Sequence, residues 1–252
     1  MILITGATGN LGQKLSDHLI QNTNYEIRRI DREARGEPDI LEADLSEWAP
    51  AWASHFVGVD TVIHLAATAN PFPSWQEMIR PNLDAVINVY TAAVQGGAKR
   101  IIFASSNHVL GGYRENGTDT SLHADTPPLP GMTEEGDPPL NTTPYGAFKL
   151  VGERLGKTYA DIYGISFIGI RIGFIRRGEN PAADNDNYET WLQQMWLSNR
   201  DYCQLMQKCI EADDSVKFAI INGVSNNQGM RWEIETARQL VGFVPEDGYD
   251  PA

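Results

Sequence analysis

Two residues that could act together as a base, Tyr145 and Lys149, stand four residues apart at the start of a long helical pattern. Residues at positions i and i+4 share one face of a helix, so the lysine ammonium would lie beside the phenol. A neighbouring positive charge favours the phenolate and lowers a pKa that is ordinarily about 10. The pair could therefore remove a proton from a hydroxyl group. The alternative is a solvated surface pair, because this spacing is common on exposed helices.

A second polar group, Ser105-Ser106-Asn107-His108, follows directly after an apolar run at 101–103. Hydroxyl and amide groups at the end of a buried strand can hydrogen-bond a substrate oxygen. The alternative for the two serines is capping of the strand end, since short polar side chains often bond to nearby backbone. His108 could equally be a rim histidine that contacts no substrate.

Three glycines, Gly6, Gly9 and Gly12, lie between a predicted strand at 2–5 and a predicted amphipathic helix at 11–21. The spacing is GxxGxxG rather than the GxGxxG of many dinucleotide-binding turns. Glycine lets the backbone turn tightly and approach a pyrophosphate, and the start of a helix offers free N–H groups to an anion. Such a segment can be only a turn, but its position between strand and helix favours a dinucleotide site.

An aspartate, Asp31, ends the second predicted strand, 19 residues after Gly12. A carboxylate about 20 residues beyond a dinucleotide-binding turn typically accepts hydrogen bonds from the adenosine ribose. Because it would repel a 2′-phosphate, NAD is favoured over NADP. The alternatives are a solvated aspartate and an Arg32 that faces a 2′-phosphate.

The elements that must position these residues alternate along the chain between β-rich runs and helical patterns. Strands are predicted at 2–5, 26–31, 60–65, 100–105, 166–172 and 217–221, and helices at 11–21, 81–94, 145–163, 188–212 and 231–241. This alternation predicts an α/β fold with a doubly wound parallel sheet. The carboxyl ends of its strands share one rim, where ligands bind.

Two stretches interrupt the alternation. Residues 111–144 are rich in Gly, Pro, Thr and Asp and lack periodicity, which predicts a long surface loop, and loops of that length are usually functional or mobile. The pattern also becomes irregular after residue 173. We expect a dinucleotide-binding domain with the catalytic residues at 1–173 and a small substrate-binding cap at 174–252, interleaved into effectively one domain.

Composition restricts the class of protein. The 252 residues carry 20 Lys and Arg against 33 Asp and Glu, a net charge of −13, which disfavours a nucleic-acid partner. No apolar run approaches the ~18 residues of a membrane span, and no signal peptide is apparent. Cys203 and Cys209 lack the spacing of a metal site, so we expect reduced thiols, no bound metal and a cytoplasmic location.

Together these residues resemble the extended short-chain dehydrogenase/reductase superfamily, which includes the NAD-dependent epimerases and dehydratases. The residues that carry the resemblance are Gly6, Gly9, Gly12, Asp31, Ala43-Asp44-Leu45, His64-Leu65-Ala66-Ala67, Asn82, Ser106, Tyr145, Lys149 and Arg171-Ile172-Gly173. Within this group, the segment 103–108 followed by Gly111 is most similar to uronate dehydrogenases.

The resemblance implies a Rossmann-type fold with NAD and a set of site residues. Ser106 and Tyr145 would hold the reacting oxygen, Tyr145 would act as base, and Lys149 would bind the nicotinamide ribose. The implied cofactor residues are Gly6, Thr8, Gly9, Asn10, Leu11, Gly12, Asp31, Asp44, Leu45, Leu65, Ala66, Ala67, Asn82, Tyr145 and Lys149. In many relatives the helices that correspond to 81–94 and 145–163 pair across subunits, so a homodimer is an expectation.

The substrate end departs from the family pattern. An arginine that binds the carboxylate of a uronate is expected in an Asn-Tyr-Arg segment, but this chain has Glu189 after Asn187-Tyr188. Phe174 stands where a small polar residue is usual. Arg176 or Arg177 could replace the missing arginine, although adjacent arginines beside a glycine are more often solvated.

We therefore predict an NAD-dependent oxidoreductase that takes hydride from a hydroxyl of a small, sugar-like and neutral substrate. Asn107, His108, Phe174 and Glu189 are the predicted substrate residues. An epimerase or dehydratase with tightly bound NAD is the first alternative, and a non-catalytic NAD-binding protein is the second.

Overall fold

A single parallel sheet organises the molecule. The computed structural model describes residues 1–68, 75–114, 121–131 and 142–251. Seven strands lie in the order β3-β2-β1-β4-β5-β6-β7, and every neighbouring pair is parallel. Their bounds are β1 Ile2–Thr5, β2 Ile27–Asp31, β3 Ile40–Glu42, β4 Thr61–His64, β5 Arg100–Ser106, β6 Ser166–Ile172 and β7 Phe218–Gly223. The predicted α/β, doubly wound fold is confirmed.

Helices cover both faces of the sheet. They are α1 Asn10–Asn22, α2 Pro50–Ala53, α3 Trp75–Ile79, α4 Ala85–Gly96, α5 Thr142–Tyr163, α6 Thr190–Gln194, α7 Asn199–Ile210 and α8 Glu235–Val241. Short 3₁₀ helices span Ser54–Phe56, Asn107–Tyr113 and Ala182–Asn187. In the described part of the chain, no helix has the length and apolar character that crossing a membrane requires.

Strands β1, β5 and β6 contain apolar runs because both of their faces are buried. Successive side chains point to opposite faces, so Ile4 and Ile102 enter one core while Leu3 and Ile101 enter the other. The two cysteines are free and lie on the buried side of α7, as expected for reduced thiols.

The helix expected at 81–94 begins earlier and contains a widened turn. It starts with α3 and continues through a π-helical turn, Arg80–Asp84, into α4. Pro81 has no N–H to donate to the preceding helical turn, and a π turn is one way in which a helix accommodates this. A proline that was expected to open the helix therefore lies inside it.

The single helix expected at 188–212 is instead α6 and α7, separated by an extended segment. In that segment, the N–H of Phe174 donates to the carbonyl of Met195 at 2.8 Å, and the N–H of Leu197 donates to Phe174 at 2.9 Å. Ser198 then caps α7 by accepting from the N–H of Asp201 at 3.0 Å. These backbone bonds to the segment after β6 outweigh the local helical pattern.

The stretch 111–144 is less superficial than the sequence indicates. Leu122 is fully buried, bridges to Trp232, and accepts a hydrogen bond from Asn222 Nδ2 at 3.1 Å. The expected surface loop is therefore wrong for this part, because an apolar side chain anchors it to the C-terminal region. Residues 115–120 and 132–141 lie outside the described residues.

Residues beyond 173 contribute to the sheet and to its core. They supply β7, and Tyr202 and Leu205 of α7 pack in the same apolar cluster as Ile4 and Leu15. The division of the chain at 173 stays a prediction.

Candidate active site

A cleft of about 930 Å³ lies along the carboxyl ends of the strands and brings together most of the predicted site residues. Those that line it are Gly6, Gly9, Asn10, Leu11, Gly12, Asp31, Asp44, Leu45, Leu65, Ala66, Ala67, Ser106, Asn107, His108, Tyr145, Lys149 and Phe174. Thr8, Asn82 and Glu189 are not among its lining residues.

The turn after β1 is packed backbone against backbone. Gly6 has a φ of +72°, and a Cβ there would lie 2.6 Å from the amide nitrogen of Ala66. A Cβ on Gly12 would lie 2.2 Å from the carbonyl oxygen of Gly6. Gly9 is the N-cap of α1 and offers no side chain, so the first turn of this helix faces the cleft without a side-chain cap. The turn thus requires glycine and leaves room for an anionic group.

The carboxylate of Asp31 is held in place by backbone amides. Its two oxygens accept from the N–H of Thr8 at 2.9 Å and from the N–H of Arg32 at 2.6 Å. Thr8 therefore supports Asp31 instead of lining the cleft. Arg32 and Arg35 also line this end, so both charge types that were weighed for the adenosine pocket are present there.

A wall beyond Asp31 is formed by the segment after β3. Asp44 accepts hydrogen bonds from the amide and hydroxyl of Ser46 at 2.9 and 2.6 Å, and these bonds lower the pKa of its carboxyl group. Asn88 Nδ2 donates to the carbonyl of Leu45 at 2.9 Å. The segment is therefore fixed from both sides.

The predicted catalytic tyrosine meets Ser106 at the opposite end of the cleft. Ser106 ends β5 and accepts from the N–H of His108 at 3.2 Å. Tyr145 is buried on the first part of α5. Burial raises the pKa of Tyr145 to about 12, and the nearby hydroxyl of Ser106 opposes this rise. The phenol is consequently neutral until a positive charge compensates the phenolate.

The lysine of the pair is buried beneath the same end. Lys149 Nζ donates to the carbonyl of Ala104 at 2.8 Å and lies 5.7 Å from the centre of the Tyr145 ring. Burial lowers the pKa of Lys149 to about 7. The solvated alternative for the pair is therefore wrong, since both side chains are at most 9% exposed.

The amide side chain that follows Ser106 also lines this end of the cleft. Asn107 is 1% exposed, and within the described part of the chain neither its Nδ2 nor its Oδ1 has a hydrogen-bond partner. His108 packs edge-on to the Tyr145 ring at 5.6 Å between centres. Burial, with Arg114 nearby, lowers the pKa of His108 to about 4, so its ring is neutral at physiological pH.

Two predicted residues lie elsewhere. Asn82 is buried within the π turn, where its Nδ2 donates to Met78 at 3.0 Å and its Oδ1 has no partner among the described residues. Glu189 is half-exposed and forms an ion pair with Arg114, outside the lining of the cleft. The pairing with Arg114 accounts for this position, because it holds the carboxylate at the surface.

The profile of the NAD dependent epimerase/dehydratase family matches residues 2–186. The chain belongs to this family. The match confirms the resemblance, the enzyme class and the NAD cofactor that the sequence predicts.

Curated relatives of this family member span nearly its whole length. An NAD-dependent glucose-6-phosphate dehydrogenase of Haloferax volcanii is 34% identical over 98% of this chain and 93% of its own. An L-arabinose 1-dehydrogenase (NAD(P)(+)) of the same organism is 30% identical, with 98% and 96% covered. A uronate dehydrogenase of Pseudomonas putida is 32% identical, with 98% and 84% covered.

The architecture is also similar to a solved member. The glucuronic acid dehydrogenase of Chromohalobacter salexigens superimposes with a TM-score of 0.80 at 28% identity, over 98% of this chain and 84% of that one. The relatives support NAD-dependent oxidation or reduction of a sugar-like substrate as the general activity.

The cleft of this epimerase/dehydratase family member fits NAD by its own geometry. Gly6 and Gly12 leave no room for a Cβ, Asp31 is presented at the end of β2, and Asn107 at the far end has polar atoms without a partner among the described residues. These features suit a pyrophosphate, a ribose and a hydroxylated ligand respectively.

A buried ion pair behind the catalytic residues was missed by sequence reasoning. Glu153 Oε1 and Oε2 accept from Arg171 Nε and Nη2, both at 2.9 Å, and Oε1 also accepts from Ser105 Oγ at 2.6 Å. The signal was available, because Glu153 follows Lys149 by four residues and shares its helix face. The pair ties α5 to β5 and β6, the elements that carry the catalytic side chains.

Proposed function

We propose that the protein oxidises a ring hydroxyl of a small, uncharged sugar with NAD; for a cyclic aldose this is the C1 hydroxyl, and the product is a lactone. The observation that carries the proposal is the group formed by Ser106, Tyr145 and Asn107 at one end of the cleft. A buried amide with neither atom bonded is costly unless a ligand satisfies it. Neighbouring hydroxyls of a sugar offer both a donor and an acceptor to it.

In this proposal Tyr145 takes the proton of the reacting hydroxyl. Ser106 and Tyr145 both line this end of the cleft, and the two side chains can hold the substrate oxygen between them. The nearby ammonium of Lys149 stabilises the phenolate, which offsets the burial that otherwise keeps the phenol neutral. When bound, NAD supplies the acceptor for the hydride that leaves the hydroxyl-bearing carbon.

The expectation of a neutral substrate rests on the cations. The Lys and Arg side chains that line the cleft are Arg32, Arg35, Arg80, Lys149 and Arg177. The first two lie with Asp31 at the cofactor end, Arg80 pairs with Glu47, and Lys149 serves the base. Arg176 is bonded to Asn185 Oδ1 at 2.6 Å.

The remaining surroundings of the substrate end offer no unpaired positive charge among the described residues, because Arg114, which lies near His108, is paired with Glu189. Phe174, Leu192 and Met195 form an apolar wall. The segments outside the described residues contain no Lys or Arg in their sequence. An unpaired buried carboxylate is expensive, so a uronate would bind poorly here.

A substrate panel tests this proposal. NADH formation would be followed with arabinose, galactose, glucose, galacturonate, glucuronate, glucose 6-phosphate and a UDP-sugar, and the product identified by NMR. We expect the highest kcat/KM for a neutral aldose and a lactone as product. A higher kcat/KM for a uronate or a sugar phosphate contradicts the neutral substrate, and turnover of the UDP-sugar alone would favour the epimerase or dehydratase alternative.

A further inference from the structure

The segment after β6 crosses the first turn of α1 and is bonded to it at two points. Asn10 Nδ2 donates to the carbonyl of Arg176 at 3.2 Å, and Lys14 Nζ donates to the carbonyl of Gly178. Asn199 Nδ2 holds the carbonyl of Gly178 from the other side at 3.1 Å. Residues 176–178, here named the strap, therefore lie against the start of α1, with Arg177 between the two anchors.

The two adjacent arginines of the strap have different surroundings. The guanidinium of Arg176 bonds to Asn185 and Pro181 and lies 5.5 Å from the ring centre of Tyr188. Arg177 is exposed and lines the cleft, and it has no hydrogen bond or ion pair with any other described residue. The strap thus fixes one arginine in the protein and presents the other to the cleft.

Other cations near this turn are already engaged. Lys14 is bonded to Gly178, and Arg35 lies within 4.0 Å of Glu33. A dinucleotide whose pyrophosphate lies at the glycine turn brings two negative charges there. Arg177 is positioned to meet them, since its backbone is held over Asn10 and its side chain borders the cleft that Gly9 and Leu11 also line.

We propose that Arg177 binds the pyrophosphate of NAD, with the strap holding this arginine across the cofactor. The inference rests on the proposed placement of NAD in the cleft, and it assigns to the cofactor an arginine that could otherwise bind an anionic substrate. With Arg177 bound to the cofactor, each Lys and Arg among the described residues that line the cleft has a role other than binding an anionic substrate.

Binding measurements on the purified protein test this assignment. Dissociation constants for NAD⁺, ADP-ribose and adenosine would be measured by calorimetry for the wild type, R177Q and R177K. R154Q is the matched control, because Arg154 is exposed on α5 outside the cleft and its loss changes the net charge equally. We expect R177Q to weaken NAD⁺ and ADP-ribose about tenfold, with adenosine unaffected, R177K intermediate and R154Q unchanged.

Salt gives an independent measurement. Raising NaCl should weaken NAD⁺ binding more in the wild type than in R177Q. Salt screens the ion pair between Arg177 and the pyrophosphate, which only the wild type can form. Unchanged affinity of R177Q for ADP-ribose overturns the inference. So does an R177Q variant that keeps its NAD⁺ affinity but loses turnover of a uronate or sugar phosphate, because Arg177 would then serve the substrate.

A further variant separates this inference from the proposed site. D31N should weaken adenosine several-fold if the adenosine ribose lies at β2. If D31N has this effect and R177Q has none, only the role of Arg177 is wrong. If neither variant changes any affinity, the placement of NAD in the cleft is wrong as well.

Discussion

The two ends of the cleft are built differently. The cofactor end is built mainly from strand termini and one glycine turn within the first 67 residues, and its main features are backbone conformation and one carboxylate held by amides. The substrate end combines side chains from β5, α5 and the irregular segment 174–195. A site made by backbone depends on short-range spacing, whereas a site made by distant side chains depends on tertiary packing.

The largest effect should come from the substrate end. Tyr145→Phe keeps the ring and removes the proton acceptor, so kcat should fall by about 10²–10⁴-fold. The affinity for NAD⁺ should stay within a few-fold of the wild type, because the phenol hydroxyl lies near Ser106 at the substrate end and not at the glycine turn. Steady-state kinetics and calorimetry on the same preparation measure both.

A comparison with Lys149→Met sharpens this result. Lys149 is expected to serve both ends, so this variant should lose turnover and NAD⁺ affinity together. Near-full turnover by Tyr145→Phe would show that another group takes the proton and that the base assignment is wrong.

A smaller loss is expected for Asn107→Ala. Removing the amide, which has no partner among the described residues, takes away its hydrogen bonds to the sugar, worth about 10–100-fold in kcat/KM. The NAD⁺ affinity should not change, because Asn107 lies beside Tyr145 at the substrate end. Asn107→Asp, similar in shape but anionic, should also fail. A variant that loses only NAD⁺ affinity would place Asn107 at the wrong end.

At the cofactor end, the expected effect is a difference of about tenfold between the affinities for NAD⁺ and NADP⁺. The wild type should bind NAD⁺ at least tenfold more tightly than NADP⁺, since Asp31 would repel a 2′-phosphate. Asp31→Asn preserves the acceptor for Thr8 and removes the charge, so the preference should shrink towards equality. Arg32→Gln should change it in the opposite direction. Equal binding of both cofactors by the wild type would mean that Arg32 and Arg35 dominate this pocket.

The contrast between the two ends of the cleft also explains which features the sequence predicts and which it does not. The bounds of β1 and β6 agree with the prediction at both ends, because their apolar residues can be recognised in the local sequence. The break between α6 and α7 cannot be recognised in this way, since it depends on backbone bonds to Phe174. Glu189 was expected at the substrate because of a short motif, yet its position is decided by Arg114, 75 residues away. No local pattern encodes that ion pair.

Two histidines with lowered pKa values, the buried His64 and the partly exposed His108, should give the smallest effect. His64 lies behind the cofactor end, where its Nδ1 bonds to Thr5 Oγ1 at 2.8 Å, and burial lowers its pKa to about 3. His108 lies at the substrate end with its pKa lowered to about 4. Below pH 6.5 the unfolded chain takes up protons at these positions and the folded chain does not, so the free energy of unfolding falls as the pH falls.

Between pH 6.0 and 5.0 each histidine should account for a loss of about 1.2 kcal/mol. Urea unfolding at both pH values measures it, and His64→Gln and His108→Gln should each reduce the loss by that amount. The His64 and His108 variants should differ in catalysis. Of the two histidines, His108 lines the cleft and His64 does not, so only His108→Gln should raise KM for the sugar. An equal rise in KM for His64→Gln would show that the two ends are coupled through the sheet, and the cofactor end and the substrate end would then not be independent of each other.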